Sequence, residues 1–202
     1  MRLSSTSKLA MASAVIALAL SACSTSVTRM DASEVKDLSG AWNDTDSQQV
    51  SAAMIKDVLN RQWLIDFTQE NRRRPAVIVG GIRNLSHEHI NVHTFVSDIE
   101  RALINSDRVR FVASSTERQE IRAERRDQDL NASEATRKAM GQEKGADFML
   151  QGTINSIVDA SGSDQVRYYQ VDLSLISLAD NQIVWVGQNK IKKFIERSKL
   201  KF

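Results

Sequence analysis

Three histidines, His87, His89 and His93, fall within seven residues, with Glu88 among them. On a helix His89 and His93 would share a face, a spacing that lets two imidazoles hold one metal ion. The stretch does not carry the His-Glu-x-x-His pattern of zinc proteases, and Asn91 reads as a helix start that leaves His89 outside the helix. His89 and His93 are therefore weak metal candidates, and a polar loop is the plainer reading. With every histidine in one window, a dispersed Ser-His-Asp triad would need a special arrangement. No Gly-x-Ser-x-Gly elbow occurs, and Gly80-Gly81 is not a phosphate-binding loop. These residues predict a protein that is not an enzyme, with no cofactor and no small-molecule substrate.

The single cysteine, Cys23, excludes an intrachain disulfide. Its position is more informative. Met1 to Lys8 is short and basic, and residues 9–20 (LAMASAVIALAL) form an apolar run too short to span a bilayer. That is the h-region of a signal peptide. Leu20-Ser21-Ala22-Cys23 follows at once and resembles the bacterial lipobox. The resemblance implies cleavage before Cys23, a diacylglycerol on its thiol and fatty acid (palmitate) on the freed amine, several chains giving stable anchoring where one is marginal. Ser24, non-acidic after the cysteine, implies sorting to the outer membrane, with the domain facing the periplasm.

Arg118, Arg122 and Arg126 are four apart, beside Glu117, Glu120 and Glu124. On a helix they make a basic stripe next to an acidic one. Like charges at i,i+4 cost a few tenths of a kcal/mol, so a helix serving only its own stability would alternate them. The stripe is either a solvated face held down by Ile121 or a docking face for a partner of complementary pattern. Trp42, just before the first predicted helix, either pins the preceding tether to the domain or touches a partner. The lysines from Lys190 to Lys201 suit an edge strand protected from further pairing, with anionic lipid or peptidoglycan as the alternative contact. Without the first 22 residues the chain carries 25 basic and 25 acidic side chains, so its basic pI is no argument for nucleic acid.

The elements that would position these residues follow from periodicity. Asp46-Ser47-Gln48-Gln49 reads as a capping box opening a helix to about Phe67, with Val50, Met54, Val58 and Ile65 on one stripe and Ile55, Leu59 and Trp63 on the next. Residues 76–82 (AVIVGGI) read as a buried strand, a helix follows Asn91, and Val109–Ala113 is a second strand. Ser114-Ser115-Thr116-Glu117 is another capping box, whose helix runs to about Arg126, and a further helix is predicted from Asn131 to near Gly145. Three strand-like runs close the chain, 148–157, 166–178 and 183–191, the last two as a hairpin. The prediction is one α/β (α+β) domain with a mixed sheet of about five strands flanked by helices. Residues 1–22 would be a removed leader, 23–43 a short polar tether and 44–202 the globular domain.

Several stretches carry a family resemblance: Leu38 to Asp46 (LSGAWNDTD), Val77 to Asn84 (VIVGGIRN), Phe111-Val112-Ala113, Gly145 to Gly152 (GADFMLQG) and Ile183-Val184-Trp185. Together they resemble LpoB-type penicillin-binding-protein activators, outer-membrane lipoproteins that stimulate a bifunctional peptidoglycan synthase. The resemblance implies a penicillin-binding protein as partner and a role in cell-wall synthesis and cell shape. The Gly145 to Gly152 stretch is also similar to the TolB N-terminal domain and to the curli-secretion lipoprotein. A secretion or envelope-assembly subunit is therefore the rival reading, and a periplasmic metal-binding protein a third.

Overall fold

The computed structural model describes residues 26–31, 34–138 and 140–196. Cys23 and the leader lie outside the described residues, as do Arg197, Lys199 and Lys201. The chain divides into two units, Met1–Val35 and Lys36–Phe202. The described residues of the first carry no helix or strand; the second holds every element below.

Helix α1 (Asp44–Leu59) is opened by Asn43, not by Asp46. Asn43 lies in extended backbone and its side-chain oxygen accepts the Asp46 N–H at 3.0 Å, while Asp46 Oδ2 accepts the Asn43 N–H at 3.0 Å. The capping box is thus three residues upstream of the one predicted, with aspartate in the place glutamate usually fills. Val50, Met54, Ile55, Val58 and Leu59 are buried as predicted.

The helix does not continue to Phe67. Asn60 folds its side chain back to the Lys56 carbonyl at 2.8 Å, and the Val58 carbonyl takes the Trp63 indole N–H at 2.7 Å. These bonds satisfy carbonyls that a helix end leaves bare. A new helix, α2 (Gln62–Asn71), then starts with a different aim, burying Trp63 and Leu64 and leaving Ile65 45% exposed. The predicted place of Ile65 on the α1 stripe is corrected accordingly.

Strand β1 (Ala76–Asn84), helix α3 (Val92–Asn105, capped by Asn91) and the two-residue strand β2 (Arg110–Phe111) follow as the periodicity implies. Helix α4 (Ser115–Asn131) has its box at Ser114 and Glu117 and runs five residues past Arg126. It buries no residue, and Ile121, the expected anchor, is 43% exposed. The helix predicted from Asn131 is absent among the described residues. Asn131 is the last residue of α4, its side chain donating to Asp127, Ala132 is extended, and Ser133 and Thr136 bond each other in a turn. That segment has little apolar surface to bury, and without packing a short helix is marginal.

Three 14-residue strands complete the sheet: β3 (Phe148–Ser161), β4 (Asp164–Ser177) and β5 (Ile183–Glu196). The order is β2-β1-β3-β4-β5, with β1 parallel to β2 and β3 and the last three strands antiparallel. A mixed α/β domain is therefore what forms. The register shifts at Gly80–Gly81 in β1. Tyr169, Val171, Leu173 and Leu175 alternate inward on β4 and meet Val50, Phe95 and Ile99 in one core. Each fully buried side chain of this kind contributes about 1.5–3 kcal/mol.

Gly152 sits in the inward row between Ile82 and Leu173. A Cβ there would lie 2.1 Å from the Asp172 carbonyl oxygen, so only glycine lets β3 and β4 approach this closely. On the opposite side of the sheet, Val186, Gln188, Lys190, Lys192 and Phe194 of β5 are exposed.

Candidate functional site

The segment entering the domain is held by two polar clusters. One Glu88 carboxylate accepts three donors: Arg167 Nη1 at 2.6 Å and the Tyr169 hydroxyl at 2.7 Å on Oε1, and the Trp42 backbone N–H at 3.1 Å on Oε2. The Glu88 and Arg167 side chains are mostly covered. Burial, and then the hydrogen bond to Glu88, push the Tyr169 phenol well above its ordinary range, so it stays a donor. The Trp42 ring packs edge-on against Phe95 and Tyr169, at 6.2 and 5.6 Å between centroids. These contacts are the ones the pinning role calls for, and Trp42 itself stays half-buried.

In the second cluster Lys193 Nζ donates to Asp46 Oδ2 at 2.6 Å, to Asp37 Oδ1 at 3.0 Å and to the Ala41 carbonyl at 3.3 Å. Asp37 also accepts from the Asn43 side chain. Burial opposes the charge on Lys193, but the bonds to Asp46 and Asp37 outweigh it and hold the ammonium pKa above its usual value. Lys193 was expected among lysines that guard an open edge. β5 is an edge strand and Lys190 and Lys192 are exposed, but Lys193 points inward with its side chain 12% exposed.

A third polar contact fastens the start of β3 to β1. Asp147 accepts both terminal nitrogens of Arg73 at 2.7 Å each and the Ala76 N–H at 2.7 Å. The Arg73 bonds, helped by the Ala76 amide and opposed by burial, hold its carboxyl below the usual carboxylate range.

The arginines of α4 do not form a uniform free row. Arg122 grips Glu143 with two bonds, at 2.9 and 2.8 Å, and Arg125 adds a third at 3.3 Å. Arg122 is the main reason Glu143 titrates below its ordinary value. Arg118 turns back to the Ala113 carbonyl at 3.2 Å, and its Nε is buried without an acceptor. Arg126 is exposed and makes no ion pair among the described residues. The stripe thus does two jobs: Arg122, helped by Arg125 beside the stripe, holds the segment after α4, and Arg126 faces outward.

His87, His89 and His93 are exposed; the His87 ring nitrogen lies 3.2 Å from the Ser156 hydroxyl. Among the described residues no group of three or more His, Cys, Asp or Glu side chains could hold a metal ion. No helix among them is long and apolar enough to cross a membrane.

Glu88, Arg167, Tyr169 and Lys193 were missed as a group. Part of the signal was present: inward positions on β5 recur every second residue through Trp185, Ile191 and Ile195, and Lys193 has the same parity. Nothing in the sequence pairs it with Asp46.

The chain matches the family described as peptidoglycan-synthase activator LpoB over residues 46–191. No curated protein gives a significant match. Among solved structures, the LpoB C-terminal domain from Escherichia coli is similar at 11% identity and TM-score 0.41, covering 73% of this chain and 99% of that one. Lipoprotein GNA1162 from Neisseria meningitidis is similar at 14% identity and TM-score 0.40, covering 62% and 88%. The family match runs from the first turn of α1 to the middle of β5, taking in every strand of the sheet, and on it the chain belongs to the peptidoglycan-synthase activator LpoB family.

Proposed function

We propose that this chain is a lipoprotein, anchored through Cys23 in the outer membrane and facing the periplasm. There it binds a bifunctional peptidoglycan synthase, a penicillin-binding protein, and raises its activity. The observation that carries this reading is the family match across the whole sheet and the helices packed on it. The domain supplies no chemistry of its own. It acts by binding the active conformation of the synthase more tightly than the inactive one, the only way a ligand shifts such an equilibrium. The docking face includes the outward side of α4, with Arg126 and the outer edges of Arg122 and Arg118. It reaches toward Trp42 at the root of the tether. In support, α4 buries nothing yet carries a charge pattern its own stability does not need.

The test is photocrosslinking in intact cells from a probe placed on α4, followed by recovery of the chain from membranes. A penicillin-binding protein should be crosslinked, and Arg126→Glu should reduce its recovery while the unfolding midpoint stays unchanged. Recovery of no synthase, or of a secretion-pore component in its place, would overturn the assignment.

A further inference from the structure

The side of the sheet away from the helices carries a row of polar groups that bond only to neighbours on the same face. Arg83 of β1 is in register with Thr153 of β3, Thr153 with Asp172 of β4, and Asp172 with Gln188 of β5. One line of side chains therefore crosses four strands at the usual spacing of about 4.8 Å. It lies in a concavity of about 690 Å³, whose lining also includes Gln151 and Ser174.

The row is preorganised. Asp172 accepts an amide N–H on each oxygen, from Gln188 at 2.8 Å and from Gln170 at 2.8 Å, and Gln170 in turn accepts the Tyr168 hydroxyl at 3.0 Å. The Thr153 hydroxyl accepts the Asn155 side-chain amide at 3.1 Å, so these bonds fix the rotamers while leaving the second lone pairs of Asp172, the Thr153 hydroxyl proton and the Ser174 hydroxyl available. At one end stands Arg83, exposed, its guanidinium without a hydrogen bond or ion pair among the described residues. A guanidinium presents a planar fork suited to a carboxylate.

Planar amides, one carboxylate and hydroxyls held in a shallow groove are the groups that hydrogen-bond sugar hydroxyls and N-acetyl amides. The strand spacing is close to the length of one hexopyranose in a β-1,4-linked chain. The unpaired Arg83 adds a requirement for negative charge, and Lys190 and Lys192 lie on the same exposed side of β5. An apolar protein surface would not call for this lining, and an uncharged glycan would leave Arg83 idle.

We propose that this row binds the glycan strand of peptidoglycan itself. Arg83 takes a carboxylate of the muramyl lactyl-peptide branch, and Thr153, Asp172 and Gln188 take hydroxyl and acetamido groups of the sugars. The choice of polymer rests on the family, and the binding itself requires no synthase.

The test is co-sedimentation of the full lipidated chain, in detergent, with purified, intact cross-linked sacculi freed of bound protein. The wild-type chain should pellet, and Arg83→Glu should weaken binding about tenfold, the scale of one lost charge-assisted pair. Gln188→Ala should weaken it less. Soluble muropeptide strands should compete, and chitotetraose, which has the sugar backbone without carboxylates, should not. Both substituted residues are exposed, so thermal midpoints should hold. The proposal falls if the wild-type chain stays in the supernatant, if Arg83→Glu pellets like wild type, or if chitotetraose competes equally. It also falls if Arg83→Glu keeps glycan binding but loses synthase stimulation, because the face is then a protein dock. Loss of glycan binding with synthase stimulation intact supports it and leaves the activator reading untouched.

Discussion

Asp147 illustrates how one side chain can hold two segments together. Its carboxylate takes both ends of the Arg73 guanidinium and the backbone N–H of Ala76, the first residue of β1. Asp147→Ala leaves that largely covered N–H without an acceptor and should cost about 1–3 kcal/mol at neutral pH, read by urea unfolding. The pH dependence has a definite sign. The folded-state pKa of Asp147 lies below its unfolded value, so its contribution is complete above the ordinary carboxylate range and is lost as pH falls through the folded value. The gap between wild type and variant should therefore be narrower at acid pH, below the ordinary carboxylate range, than at neutral pH. An equal gap at both pH values would show that the charge is irrelevant. Little of this was legible beforehand: the Gly-Ala-Asp stretch marked the position, but a bond to a residue 74 positions away has no local signature. The same holds for Glu88, which the sequence offered only as a neighbour of histidines and which the fold makes the acceptor for Arg167, Tyr169 and Trp42.

At the scale of elements, close approach of strands is the sharpest constraint. Gly152→Ala would drive a methyl group into the Asp172 carbonyl, which is backbone and cannot turn aside. The expected loss is about 2–3 kcal/mol by chemical denaturation, the upper part of the range for overpacking. Gly81→Ala, whose new methyl meets nothing within 4 Å, should change stability by less than about 0.5 kcal/mol. Comparable losses from both would mean that general glycine entropy, not strand contact, sets the effect. Periodicity made the strands and α3 legible because their inward residues repeat at two or at three to four residues. It failed where a polar side chain redirects the backbone, as at Asn60, where the bond back to Lys56 ends a helix whose apolar pattern continues. It also failed after Asn131, where a capping pattern opened onto residues with nothing to pack.

For the whole molecule, the clasp at Asp37 and Trp42 changes how far the domain can travel. The tether read from sequence as ending at Asn43 is pinned by Lys193 and Glu88 from Asp37 onward. The roughly 14 residues from Cys23 to Lys36 reach at most about 50 Å when fully extended. With the proposed lipid on Cys23, a synthase would have to present its docking region within that distance plus the span of the domain. The one-domain α/β architecture was legible because length, apolar supply and the order of elements converge on it. The domain's bond to its own tether was not, because it depends on which lysine of a basic run faces inward. The central claim is activation of a synthase, and the most direct measurement is the glycan-polymerisation rate of a purified bifunctional penicillin-binding protein in detergent, titrated with this full chain. The account predicts a rate that rises with added chain and saturates. A rate that stays flat while the two proteins demonstrably bind would contradict it.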